Sequence, residues 1–344
     1  MVNILIVKLS SIGDVIHTLP ALAAIRNALP DAKISWVVER GSAAILQNNS
    51  YLDKLIEIDT KSLRRREKVK KLISNARDQY KDLRAATFDV ALDFQGLLKS
   101  AAVAKLTKAK QRFGFSKDTL REPASRFLLT DKIDVRKRLH VIDKSLALAQ
   151  EALGIPVPER DFEFPIFTDE VHINEAREIA ANAGDDFAIL NPSGGWVTKL
   201  WHAEKFGALA DRLWERFGLI SVISTAPNEI DLAEKVAKAS RSGKLILAQP
   251  SLKGFFELSK LAKVYVGGDT APTHLAVAAK SPVVGIFGPT EWWRNGSPNP
   301  DDICVERTDI ACRIDCSRRT CDKWICMDID VETVFQAVEK RLNV

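Results

Sequence analysis

The chain has 344 residues, 46% hydrophobic and 28% charged, with 50 Lys plus Arg against 45 Asp plus Glu for a formal net charge of +5. That length predicts two domains with ample core, and the composition excludes a disordered or fibrous chain. No apolar run approaches the roughly 20 residues that span a bilayer, and so small a cationic surplus does not mark a nucleic-acid binder.

The opening MVNILIVKL has no basic leader and no cleavage site, so it reads as a strand and predicts a protein inside the cell. Strand candidates follow in chain order: residues 3–9, 34–39, 55–59, 88–94 and 111–115. Between the first two, DVIHTLPALAAIRNAL (14–29) carries apolar residues at helical spacing and predicts one amphipathic helix. Apolar strands alternating with helices predict an α/β fold with a parallel sheet covered on both faces.

Around 154–168 the text changes to GIPVPERDFEFPIFT, whose prolines and lost periodicity predict a linker. The alternation restarts with strands at 187–192, 219–225, 244–249, 263–269 and 282–288. The last segment puts Val331, Val334, Phe335, Val338 and Leu342 on one helical face. Two doubly wound domains are expected, 1–160 and 165–328, with a cleft between their strand ends and the helix at 330–344 docked back on the first. Neither a GxGxxG after strand one nor a Walker A sequence is present, which argues against ordinary dinucleotide dehydrogenases and P-loop enzymes.

Ligands of such sheets bind beyond the carboxyl ends of the strands, and the polar residues concentrate there. In KLSSIGDVIHTLPAL (8–22), Ser10, Ser11, Gly13 and Asp14 sit where strand becomes helix. Helix capping accounts for them, and so does chemistry by Asp14 on something bound at that edge. In VGGDTAPTHLAVAAK (266–280), a strand ends in two glycines before Asp269, Thr270 and Ala271 open a helix. Its N-terminal amides offer an anion site, with His274 in the next turn. NPSGGWVTK (191–199) repeats the device with Ser193, Thr198 and Lys199, the lysine a point-charge partner for a pyrophosphate.

Two basic runs stand out, KSLRRREKVKK (61–71) and DKIDVRKRLH (131–140). They read either as solvated helix faces or as contacts to an anionic surface. Cys312, Cys316, Cys321 and Cys326 crowd one segment at gaps of four, five and five, looser than zinc-ribbon CxxC pairs. A structural metal and free thiols both remain open. Cys304 stands apart on an expected strand as a small hydrophobe.

KLSSIGDVIHTLPAL, WVVERG, DFQGLLKSA, REPAS and GGDTAPTHLAVAAKSPVVGIFGPT together resemble the lipopolysaccharide heptosyltransferases of glycosyltransferase family nine, along nearly the whole chain. The resemblance implies a GT-B architecture of two Rossmann-like domains and an inverting transfer of heptose from ADP-L-glycero-β-D-manno-heptose, with no cofactor. The implied acceptor is the Kdo region of lipid A, which places the enzyme peripherally on the cytoplasmic face of the inner membrane with neither a nucleic-acid partner nor a transmembrane segment. By match to the family motif, Asp14 is the expected general base. Ser193, Thr198, Lys199, Glu229, Asp269, Thr270, Ala271 and His274 are expected to hold the donor. The loop before Glu229 carries Ala226 and Pro227 where the family usually has glycine. Ser10, Ser11, Gly13, Arg64, Arg65, Arg66, Lys99 and Arg121 are expected to hold the acceptor. Transfer onto an existing core heptose, a GT-B sugar-nucleotide epimerase and a nucleic-acid binder are the alternatives.

Overall fold

The computed structural model describes residues 1–59, 83 and 86–343. It divides into two compact units, Met1–Phe167 and Thr168–Val344.

Among the described residues, the first unit holds strands β1 (Asn3–Val7), β2 (Lys33–Glu39), β3 (Lys54–Ile58), β4 (Val90–Asp93), β5 (Gln111–Phe115) and β6 (Asp131–Ile133). They form one sheet in the order β3-β2-β1-β4-β5-β6, with every pairing parallel. Central β1 buries Ile4, Leu5, Ile6 and Val7 completely. A strand covered on both faces has no wet side to alternate with, so its sequence is an unbroken apolar run. Helices α1 (Ile12–Ile16), α2 (Leu19–Ala28), α3 (Leu98–Leu106) and α4 (Val141–Leu153) flank the sheet. The chain winds outward from β1 to β3, then returns to β4 on the other side, which makes the β1/β4 boundary a topological switch point.

The second unit repeats the plan. Its strands are β7 (Phe187–Asn191), β8 (Ile220–Ser224), β9 (Leu245–Ala248), β10 (Val264–Gly268), β11 (Val283–Phe287) and β12 (Ile303–Glu306). They run parallel in the order β12-β11-β10-β7-β8-β9, so the switch point lies between β7 and β10. Helices α5 (Glu170–Ala183), α6 (Ala203–Phe217), α7 (Ile230–Ala239), α8 (Leu252–Leu261), α9 (Ala271–Ala278), α10 (Trp292–Asn295) and α11 (Val331–Leu342) complete it.

Three expectations need correction. The helix over 14–29 is two helices, α1 and α2, jointed at His17 and Thr18. Pro20 lacks an amide proton and its ring fits only a first turn, so the helix must restart there. The basic run at 131–140 opens with β6, an edge strand of three residues too short to show a period. The terminal helix α11 packs in the second unit rather than on the first: Val334, Phe335 and Val338 join the core of Trp201, Phe206 and Val284. Arg341 anchors its end through a 2.9 Å hydrogen bond from Nε to the buried Asp302 carboxylate. The linker segment lies against the first unit, where the Pro165 carbonyl accepts from Asn49 Nδ2 at 2.8 Å and Glu163 from the Tyr51 hydroxyl at 2.5 Å.

Helices α6 and α7 meet at Gly207, where an added Cβ would lie 2.8 Å from the Val236 carbonyl oxygen and 2.9 Å from the Ala239 carbonyl carbon. Alanine ordinarily gains about 1 kcal/mol over glycine inside a helix. Here the obstruction is backbone, so overpacking should prevail and Gly207→Ala should lose about 1–2 kcal/mol net. Denaturant unfolding of the variant, read as a lower midpoint, checks it.

Candidate active site

The first unit's edge is built on the loops after β1 and β4. Ser11 caps α1, and Asp14 occupies the third helical position. Asp14 Oδ2 accepts from the Ser11 amide and the Ser11 hydroxyl, both at 2.9 Å. Its other oxygen, Oδ1, lies 3.8 Å from Lys8 Nζ, and the side chain is 45% exposed. Capping and chemistry are therefore compatible readings, since one oxygen ties the turn while the other stays beside a cation. Lys8 is buried and donates to the Phe94 carbonyl at 2.9 Å, which fixes its amine at this edge.

The β4 loop holds the β1 loop. Gln95 Oε1 accepts from the amides of Leu9 at 3.0 Å and Ser10 at 3.2 Å. Gln95 is itself set by Asp93, whose Oδ1 accepts from the amides of Gln95 at 3.0 Å and Gly96 at 3.2 Å. Ser100 Oγ approaches Asp93 Oδ2 at 3.1 Å. Asp93 is wholly buried, and burial pushes its carboxyl up to about 6 against the pull of these hydrogen bonds and of the Lys8 charge.

Ser10 is half-buried, Ser11 exposed and Gly13 buried at this edge. Lys99, expected to meet an acceptor, lies 3.4 Å from the buried carboxylate of Glu39. Arg121 is exposed between two short 3-10 turns. Arg64, Arg65 and Arg66 lie outside the described residues.

The second unit's edge is more tightly wired. The loop after β7 ends in a 3-10 turn, Val197–Lys199, and the loop after β10 opens α9 with Thr270 as its N-cap. Lys199 Nζ reaches across the switch point to Asp269, donating to Oδ2 at 2.6 Å and to the backbone carbonyl at 3.1 Å. His274 Nε2 lies 3.4 Å from Asp269 Oδ1, and Asn295 Nδ2 lies 3.5 Å from Oδ2. The Asp269 side chain is 5% exposed and that of His274 is 7%. Burial alone would raise the Asp269 carboxyl. The His274 hydrogen bond, the Lys199 charge and the His274 charge outweigh burial and hold it far below the usual carboxylate range.

An ammonium has three donors. Asp269 engages two of those on Lys199, through its carboxylate and its backbone carbonyl. The amine also sits 4.4 Å from the centroid of the Trp196 ring, a cation–π contact that Arg319 shares on the same ring at 5.2 Å. Thr273 donates to the Gly268 carbonyl and accepts from the Tyr265 hydroxyl at 2.9 Å, so the end of β10 is pinned by its own helix. Ser193 is buried in the glycine loop, with no partner for its hydroxyl among the described residues.

Thr198, expected to hold the donor, directs its hydroxyl at the protein itself. It is 2% exposed, and its hydroxyl donates at 2.7 Å to the Arg318 carbonyl. The Thr198 carbonyl in turn accepts from Trp324 Nε1 at 3.1 Å. The cysteine-bearing segment thus buttresses the Lys199 turn. Glu229 stands half-buried just before α7, and Ala271 half-buried at the start of α9. All five cysteines are free thiols, with Cys326 buried and Cys304 half-buried on β12. Among the described residues no three His, Cys, Asp or Glu side chains come together to hold an ion.

Sequence reasoning missed Lys8, Asp93, Gln95, Trp196 and Asn295. The first four lie inside the motifs already singled out, and their signal was position, at the carboxyl end of a central strand or in the loop that follows it. Asn295 comes from α10 and has no local signal.

Two doubly wound parallel sheets, each with its polar loops at the carboxyl ends of its central strands, define a GT-B glycosyltransferase fold. The E. coli heptosyltransferase WaaC structure with ADP has a TM-score of 0.80 and 25% identity, covering 98% of this chain and 99% of that one. In sequence the chain is similar to lipopolysaccharide heptosyltransferase 1 of Pseudomonas aeruginosa, 29% identical over 93% of this chain and 87% of the relative. It is 28% identical to the Escherichia coli K12 protein of the same name, over 84% of this chain and 88% of that one. Residues 77–324 match the heptosyltransferases of glycosyltransferase family 9, and the chain belongs to that family.

Asp93 gives a pH prediction. Its folded-state value of about 6 exceeds the unfolded 3.8, so the native state holds this proton more tightly. The stability it contributes is full below about pH 4 and is lost as pH rises through 6, a swing of about 3 kcal/mol. Asn can accept both amides through its oxygen and donate to Ser100 through its nitrogen. Asp93→Asn should therefore melt higher than the parent at pH 8 and level with it near pH 4, measured by thermal denaturation across that range.

Proposed function

We propose that this glycosyltransferase moves L-glycero-D-manno-heptose from ADP-heptose to Kdo of the lipid A inner core, with inversion, in lipopolysaccharide core synthesis. The observation that carries the reading is the buried Lys199–Asp269–His274 network at the β7/β10 switch point of a heptosyltransferase-family chain. A second polar edge at β1/β4 carries Asp14.

In this reading the acceptor hydroxyl attacks the anomeric carbon from the face opposite the leaving ADP, and Asp14 takes its proton. The bond to ADP breaks as the new glycosidic bond forms, so negative charge grows on the β-phosphate. The remaining Lys199 donor and the first amides of α9, at Thr270 and Ala271, meet that charge in a partly desolvated setting. Asp269 does not touch the phosphate. It holds Lys199 in register while His274 shares the carboxylate, so the lysine is pre-positioned before donor arrives. Ser193 offers a hydroxyl to the diphosphate and Glu229 a carboxylate to the ribose. No cofactor enters the proposal.

Ser10, Ser11 and Gly13 line the acceptor side beside Asp14, and Lys99 and the arginines Arg64, Arg65, Arg66 and Arg121 supply cations for Kdo carboxylates and lipid A phosphates. No helix among the described residues is long and apolar enough to cross a membrane, and the reading assigns the enzyme to the cytoplasmic face of the inner membrane as a peripheral protein. Kdo is preferred over a core heptose as acceptor because the relatives named above are heptosyltransferase 1 proteins. The epimerase alternative leaves Asp14 and a lipid-linked acceptor without a role.

Release of ADP from ADP-heptose only when a Kdo-bearing acceptor is added tests the reading, and release without acceptor refutes it. Asp14→Ala should bind ADP within about twofold of the parent while kcat falls about 10²–10⁴-fold. A fully active variant that merely melts earlier would reduce Asp14 to a cap. Lys199→Met should weaken ADP binding in calorimetry and lower kcat by about 10²-fold, because a charge-stabilising donor is lost.

A further inference from the structure

Helix α3 starts at the catalytic edge, just after Gln95, and carries an outward face of unusual character. Leu98, Ala102, Lys105 and Leu106 fall within about 100° of one another around the helix. Its opposite face buries Ser100, Ala101, Val103 and Ala104. An amphipathic helix would put charge on the outward side. Instead Leu98 is 45% exposed and Leu106 36%. Beside α3 packs the 3-10 turn Pro123–Leu128, which presents Phe127 at 73% exposure. Leu106, Ala102 and Leu128 line a groove of about 530 Å³ between the two, with Lys105 and Lys108 at its rim.

Lys105, Lys108 and Arg126 bring three cations to this patch. Arg126 lies 4.6 Å from the Phe127 ring centroid. Among the described residues, Lys105, Lys108 and Arg126 make no ion pair. Glu122, just before the turn, accepts from the Leu98 amide at 2.7 Å. Exposed apolar surface of this kind marks a contact site. A second copy of the chain would set cations against cations, so self-association is disfavoured.

We propose that the α3 and Pro123–Leu128 face is a membrane-docking surface for an anionic lipid bilayer, in which Phe127 and Leu106 enter the interface and Lys105, Lys108 and Arg126 meet lipid phosphates. This inference rests on the lipid-linked acceptor proposed above, which obliges the enzyme to work at a bilayer. Apolar burial and cationic attraction act together at such interfaces. Because α3 rises about 1.5 Å per residue, Leu106 lies about 12 Å along the helix from Leu98, so a docked bilayer would hold a lipid-linked acceptor against the same unit that carries Asp14.

Co-sedimentation of the full chain with vesicles tests it. The parent should partition onto phosphatidylglycerol–phosphatidylcholine vesicles, not onto phosphatidylcholine alone, and should wash off in about 0.5 M salt. Phe127→Ser with Leu106→Ser should lower the partition coefficient about tenfold or more. Lys105→Glu with Lys108→Glu should lower it similarly and remove the salt dependence. Both double variants should keep the parent's melting temperature, and transfer to a soluble, deacylated acceptor within about twofold. The inference is overturned if the variants partition like the parent, or if the parent shows no preference for anionic vesicles. A parent dimer that Phe127→Ser splits into monomers overturns it too, because the patch is then a self-interface. Failure of the parent to use even the soluble acceptor would refute the enzymatic reading separately, without touching the vesicle result.

Discussion

Taking Asp269 out of water is costly, and the cost is met only because Lys199 and His274 come with it. The carboxylate is almost wholly covered, yet it stays anionic far into acid because a lysine from the next strand over and a histidine one turn up its own helix share it. Buried pairs of this kind contribute little net stability, but losing one partner costs about 3–5 kcal/mol. Their value is geometric. The pair ties the loop after β7 to the loop after β10 across the point where the chain reverses its winding, and so fixes where the Lys199 ammonium stands.

The first unit solves the same problem with different chemistry. At its own switch point the buried carboxylate is Asp93, and here backbone amides and a serine bond to it, with the Lys8 charge the weakest of the pulls on it. Burial prevails, and the group sits near 6 where Asp269 is driven down. Asp93 thereby acts as an organiser of the loop, with Gln95 passing its position on to the amides of Leu9 and Ser10 beside Asp14. One edge is arranged around a fixed positive charge, the other around an accessible carboxylate. A reaction that must stabilise a departing diphosphate and collect a proton requires one of each.

Much of this was legible in the chain because parallel strands covered on both faces are written as short apolar runs, and β1, β7, β10 and β11 all are. The loops that follow them were legible for a related reason. Glycine, serine and aspartate clusters after an apolar run mark the carboxyl edge, which singled out Asp14, Lys199 and Asp269 before any contact was known. What was hidden depends on distance in sequence. The Lys199–Asp269 pair spans 70 positions, and nothing local announces it. The bond from the Thr198 hydroxyl to the Arg318 carbonyl spans 120 positions and has no local signal either. Edge strand β6 is too short for a period, and the side on which α11 docks cannot be read from its apolar stripe alone.

The buttress from Arg318 and Trp324 to Thr198 has an evolutionary consequence. Substitutions in the stretch after β12 are transmitted by two hydrogen bonds to the turn that presents Lys199. If Lys199 meets the nucleotide as proposed, such drift would tune nucleotide affinity through a surface segment and leave Asp14 and Asp269 untouched.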